Sequence, residues 1–318
     1  MGSYPPPSDF PAQAHESEVL PPVRVSVPSE QQEDLLAVRA RVGEPRSGPR
    51  SWAFAPATYF LIIINCVVFL GMFFSHVSMT HPTGDQLLQW GANSPEHVLH
   101  YGEYGEWWRI VTAMFVHVGI IHLATNMWCL WNLGLLAERI FDPWTYVLTY
   151  TACGIAGSIA SLGLHPMVVG AGASGAIFGL AGALITALYM GKLPIPKHAL
   201  SPIMRSLVTF AGYNLFFGAV VPGIDNSAHI GGLLAGLALG AALAQTLTSQ
   251  PEVRHRWRLV IFVVATILLF AAFSLVKQTR GPELPQQEIP TAEDRPLDKP
   301  LRAYKKNLSV AVATLKTT

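Results

Sequence analysis

Residues 226–240 read Asn226-Ser227-Ala228-His229-Ile230-Gly231-Gly232-Leu233-Leu234-Ala235-Gly236-Leu237-Ala238-Leu239-Gly240. The stretch is uncharged and apolar, and its glycines at 232, 236 and 240 recur every fourth residue. On a helix that spacing makes one bare face, the form that lets two membrane helices bring their backbones together. His229 lies three residues before Gly232 and projects from the same general side. Asp225, just ahead, reads as the helix cap.

The uncharged tract around this stretch runs from 226 to 251, and it is one of six. The others are 51–84, 110–137, 143–191, 206–224 and 259–276. A membrane-crossing helix needs roughly 20 mainly apolar residues. Divided at Gly/Pro punctuation, the tracts yield seven expected spans. They lie near Ala57–Phe74, Ile121–Ile140, Trp144–Leu162, Ser174–Tyr189, Leu207–Val221, Asn226–Thr246 and Leu259–Val276. The long tract 143–191 holds two of them, broken by the loop chemistry from Gly163 through His165-Pro166 to Gly172. Residues 76–120 form one longer, Trp-bearing connection with room for short interfacial helices.

Whole-chain composition agrees. Of 318 residues, 51% are hydrophobic and 13% charged, about half the charged share of a soluble domain. Such a chain cannot cover the surface of two water-soluble domains, and it is too apolar for disorder throughout. A net charge of +1 provides no basic field for nucleic acid. Three cysteines, Cys66, Cys129 and Cys153, all in apolar stretches, form neither a disulfide framework nor a zinc cage.

Basic residues set an orientation. Arg39, Arg41, Arg46 and Arg50 precede span 1, and Arg139 lies between spans 2 and 3. Lys192, Lys197 and Arg205 lie between spans 4 and 5, and Arg254, Arg256 and Arg258 between spans 6 and 7. The alternate loops hold only Arg109. The positive-inside rule therefore expects a cytoplasmic N-terminus and an outer C-terminus. Residues 1–51, with nine of the 24 prolines before residue 51, read as a disordered cytoplasmic extension with a short helix near 31–41. Residues 52–250 read as a six-span core, 251–277 as linker and seventh span, and 278–318 as a polar tail. No secretory signal precedes residue 52, and with the short loops this points to a bacterial inner membrane.

Polar residues at membrane depth are functional candidates. Asn65 in span 1 is expected to hydrogen-bond another helix. His117, His122 and Asn126 form one cluster, with His122 and Asn126 on one helical face. Metal binding is one reading, but no HExxH pattern is present. A structural hydrogen-bonded pair is the other, and the one this segment alone favours. Gly170-Ala171-Gly172-Ala173-Ser174-Gly175 opens span 4. Ser174 reads either as a helix cap or as a nucleophile in a glycine-framed turn with backbone N–H groups beside it. Small residues Gly175, Gly179, Gly182 and Ala183 leave one side of that span nearly bare. Packed against the 232/236/240 stripe, it would carry Ser174 to His229.

Together these clusters resemble the rhomboid family of intramembrane serine proteases, over about residues 57–246. The resemblance rests on Trp108-Arg109, His117…His122…Asn126, Glu138-Arg139, Gly172-Ala173-Ser174-Gly175 and Ala228-His229-Ile230-Gly231-Gly232…Gly236, in order and spacing. It implies an all-α polytopic membrane protein, a six-helix rhomboid core plus a seventh C-terminal helix. It implies Ser174 as nucleophile, His229 as general base, and His122 and Asn126 as oxyanion-hole side chains, without an acidic third member. Gly172, Gly175, His117, Gly232 and Gly236 would shape the site, and Phe178 would stack on the catalytic histidine. Trp108, Arg109 and Glu138 would organise the first loop. It calls for no metal and no cofactor. The expected partners are single-pass or polytopic membrane-protein substrates in the bilayer, cleaved near the outer end of the substrate helix, with oligomeric state left open. Two other readings compete. A non-catalytic escort protein typically lacks the Ser or the His. A transporter would place charges or broken helices at the midplane.

Overall fold

The computed structural model describes residues 54–100, 105–164, 169–193 and 195–281. The expected extension at 1–51, its helix at 31–41, and all of the C-terminal tail beyond residue 281 lie outside the described residues.

Regular structure among the described residues is helical apart from one isolated antiparallel bridge, Asn93 with Gly170. Helix α1 is Pro56–Phe74. The long connection that follows contains α2 (Gly84–Gln89), a π turn (Glu96–His100) and α3 (Arg109–Thr112). Then come α4 (Ile120–Phe141), α5 (Pro143–Leu164), α6 (Ser174–Met190), α7 (Lys197–Val220), α8 (Asn226–Ala244) and α9 (Pro251–Arg280). Six of these helices are long and apolar enough to cross a membrane, and α6 is a shorter apolar helix. The chain is an integral, multi-pass membrane protein.

Five expected spans match within about two residues at each end, and two are longer. Helix α7 starts at Lys197, ten residues before the expected Leu207. Pro202, which argues for a break, lies near its start and is accommodated there. Helix α9 begins at Pro251, a proline in the first turn being pre-set for helix. It takes in Arg254, Arg256 and Arg258, expected to lie in a loop, and the first three residues of the expected tail. Charge bounds only the stretch in hydrocarbon, because long basic side chains reach back to the interface.

Helix α6 sits at the centre, with nearly every residue from Gly175 to Leu188 buried. Its 17 residues are about 25 Å long, less than the roughly 30 Å hydrocarbon core. Against it lies the stripe of α8. A methyl group built on Gly232 would run into the carbonyl of Gly175, and one on Gly236 into that of Gly179. No side chain larger than hydrogen fits there, so the two helices lie backbone against backbone. Thr186 adds a bond across this seam, donating to the Leu237 carbonyl at 2.9 Å.

The outer helices are fastened at their ends. Glu138, buried near the end of α4, accepts from the Ala57 N–H (3.0 Å), the Thr58 N–H (2.8 Å) and the Thr58 hydroxyl (2.8 Å), so it caps α1. Arg258 of α9 donates to the Phe141 carbonyl, Thr145 and Thr246, and pairs with Asp142. Asn65 donates at 2.7 Å to the Leu61 carbonyl of its own helix, and its side chain also meets the Tyr150 hydroxyl of α5.

Candidate active site

Ser174 is the first residue of α6. The helix cap is Ala173, which makes no side-chain cap bond, so the capping role weighed for Ser174 is not the one observed. The serine hydroxyl instead lies 2.9 Å from His229 Nε2. Phe178, one turn after Ser174, stacks on the imidazole at 4.4 Å between centroids and 16° between planes. Asp225 caps α8 by accepting from the Ser227 and Ala228 N–H groups at 3.1 and 3.2 Å, which starts the helix so that His229 falls in its first turn.

The turn ahead of Ser174 is tied from outside. Asn93 and Gly170 exchange two backbone bonds of 2.8 Å, and Asn93 Nδ2 donates to the Ser158 carbonyl at 3.1 Å. The Gly172 N–H donates to the Ala113 carbonyl at 2.9 Å. Gly172 has φ +129°, a conformation side-chain-bearing residues rarely adopt. A Cβ there would also lie 2.6 Å from the His122 ring, so this glycine is what admits His122 to the site.

His122 Nδ1 accepts from the Val118 N–H at 3.3 Å, which leaves the Nε2 of a neutral ring as the N–H donor. Asn126 donates one amide hydrogen to the His122 carbonyl at 2.8 Å. His117 is fully buried, packs its ring 5.2 Å from that of His122, and contacts the Phe115 carbonyl through Nδ1. Burial, with the neighbouring His122, pushes the His117 pKa down to about 3, so it is uncharged. A cavity of about 510 Å³ joins these groups: Ser174, His229, His122 and Asn126 all line it, with Phe210 and Asn214 of α7 on another wall.

A rhomboid-domain family model matches residues 104–246. RHOMBOID-like protein 7 of Arabidopsis thaliana is 31% identical over 236 residues, spanning 68% of this chain and 74% of that protein. The chain belongs to the rhomboid family. A second relative, Rhomboid protease GluP of Bacillus subtilis (strain 168), is 38% identical over 186 residues, covering 58% of this chain but 34% of GluP. RHOMBOID-like protein 6, mitochondrial, of Arabidopsis thaliana is 35% identical over 184 residues, 54% of this chain and 59% of that protein.

In this rhomboid chain Trp108 and Arg109 do lie in the first loop. The Arg109 guanidinium pairs with Glu106, donates to the Leu88 and Ala92 carbonyls at 2.6 and 3.2 Å, and sits 4.7 Å over the Trp108 ring. Glu138 does not join them. It lies near the opposite end of α4 from the histidine cluster and holds the start of α1, as described above. The reason is helix length: some twenty residues of α4 separate it from the loop. Two contributors escaped sequence reading. Asn93 sits in a polar loop with no pattern to mark it. Asn226 contacts His229 Nδ1 through Oδ1 at 3.2 Å, and its spacing of three residues was the available signal. Among the described residues no group of three His, Cys, Asp or Glu side chains is placed to hold a metal.

Proposed function

We propose that this rhomboid is an intramembrane serine endopeptidase using a Ser174–His229 dyad on membrane-protein substrates. The observation that carries the reading is the 2.9 Å contact between Ser174 Oγ and His229 Nε2 at the wall of a cavity. Ser174 Oγ attacks the scissile carbonyl carbon while His229 Nε2 takes its proton. The oxyanion is met by His122 Nε2–H, the free Asn126 amide hydrogen and the Ser174 backbone N–H, which as the first N–H of a helix has no intrahelical partner. His229 then hands the proton to the leaving amine. Water, activated by the same imidazole, releases the acyl group.

The short length of α6 supports a hydrated site below the membrane surface, reached from the outer side. Substrate backbone must be extended to be cut, and helices in lipid have every backbone group paired. Cleavage therefore falls near the outer end of the substrate helix. The distribution of basic residues supports a cytoplasmic N-terminus and an outer C-terminal tail. Short loops between the later spans favour a bacterial plasma membrane. The test is cleavage of a single-span reporter in proteoliposomes. Ser174→Ala and His229→Ala should each abolish product, and Ser174→Ala should also abolish fluorophosphonate labelling. Cleavage that survives either substitution refutes the mechanism. A folded wild type that captures reporter without cutting it supports the escort reading instead.

A further inference from the structure

The proposed chemistry requires His229 in one tautomer, with Nε2 bare to take the serine proton and Nδ1 carrying hydrogen. An isolated imidazole is under no such constraint. Asn226, one turn earlier on α8, places Oδ1 3.2 Å from His229 Nδ1. Its Nδ2 donates to the Leu215 carbonyl of α7 at 3.0 Å. These contacts constrain each other. A backbone carbonyl only accepts, so the amide atom facing Leu215 is the NH₂ group. The atom facing His229 is then the amide oxygen, which also only accepts. Nδ1 must therefore be the protonated nitrogen, and the Nε2 lone pair is left facing Ser174.

We infer that Asn226 is a positioning residue, holding His229 as the Nδ1–H tautomer through an amide whose orientation is set by the Leu215 carbonyl on α7. This rests on the Ser174–His229 reading. Gly218 of α7 supports it, because a side chain there would collide with the Asn226 amide. Asp225 does not serve this purpose: its Oδ1 is engaged by the start of α8, and its buried Oδ2 makes no hydrogen bond to the ring. Asn226 does not line the cavity and so acts only through His229. The ionisable groups acting on His229 are Asp225 at its own helix cap and His122 across the cavity. Helix α6 faces it with Ser174 and Phe178, and α7 brings uncharged Phe210 and Asn214 to the same cavity.

The test uses the full chain in proteoliposomes, comparing wild type, Asn226→Ala, Asn226→Asp and Ser174→Ala. Reporter cleavage and the fluorophosphonate labelling rate are read across pH. The rate constant reports on folded protein, so partial misfolding lowers amplitude and leaves the rate. Asn226→Ala should reduce kcat on the order of 10- to 100-fold with KM within twofold. Asn226→Asp still accepts from Nδ1–H and should recover most of the rate. Its added negative charge favours the imidazolium, so the acid limb of the profile moves to higher pH. A merely structural role through Leu215 predicts no such recovery, because aspartate cannot donate to a carbonyl and would be at least as impaired as alanine.

An Asn226→Ala kcat within twofold of wild type overturns the inference, as does an aspartate variant no better than alanine. Should the alanine variant fail to accumulate, an unmoved acid limb in Asn226→Asp overturns it alone. Ser174→Ala separates the two claims. A Ser174→Ala protein that still cleaves sinks the dyad itself. An inert one beside an unaffected Asn226→Ala sinks only the positioning role.

Discussion

Gly236→Ala tests whether backbone contact between α6 and α8 sets the site. The new Cβ would lie 2.7 Å from both the carbonyl carbon and Cα of Gly179, and nearer still to its oxygen. That oxygen lies at 2.0 Å and ordinary contact begins at 3.4 Å, so the helices must part by about 1.4 Å. The obstacle is backbone, and no rotamer change relieves it. A parallel separation of that size carries the Ser174–His229 contact from 2.9 Å to about 4.3 Å, beyond hydrogen-bond range. A misplacement of 1 Å at a reacting centre costs on the order of 100-fold, so cleavage should fall roughly 100-fold. Stability should fall less, because overpacking costs about 1–3 kcal/mol and alanine regains about 1 kcal/mol of helix propensity. The assay is kcat/KM on a single-span reporter in proteoliposomes, beside thermal melting in detergent. Gly212→Ala, on α7 with nothing within 4 Å of a built Cβ, is the control and should be neutral. Activity of Gly236→Ala within threefold of wild type, at an unchanged melting temperature, would refute the seam as the determinant of dyad distance.

Other substitutions probe the fastenings. Glu138→Gln turns an amide NH₂ toward the Ala57 or Thr58 donors and should cost about 1–3 kcal/mol, seen as a lower melting temperature; an unchanged melt would show that α1 does not depend on this cap. Arg258→Ala removes the bonds to Phe141, Thr145 and Thr246 and should expose the start of α9 to limited proteolysis; protection equal to wild type would count against the staple. Buried His117, held near pKa 3 against an ordinary 6.5, binds fewer protons folded than unfolded between those values. Stability should be intact above pH 6.5 and decline as pH falls below it, and His117→Gln should flatten that decline; an equally steep loss in the variant would place its origin elsewhere.

Much of the fold was legible because its signals are local. Apolar length marks a span without reference to any other residue, and seven stretches of it appear as helices. The Gly232/Gly236/Gly240 stripe marks a close-packing face, and its partner stripe on α6 was visible for the same reason. Boundaries were less legible: α7 and α9 run past their uncharged tracts because capping, proline placement and packing end a helix, while charge ends only its stay in lipid. The candidate site was readable as residue types at spacing, Ser174, His229, Phe178, His122 and Asn126. Glu138 was expected to help organise the first loop, whereas its carboxylate holds the start of α1, a partner some 80 residues away that a local motif does not name.

The order of helices, the polar residues among them and the bare glycine faces were thus determined by sequence alone, each being a property of neighbours along the chain. Only tertiary structure decided the 2.9 Å approach of residues 55 positions apart, the bridge of Asn93 to the Ser174 turn, and the Leu215–Asn226–His229 relay. Those depend on where separate helices and loops meet, and a hydrogen bond formed or lost over half an ångström has no counterpart in local composition.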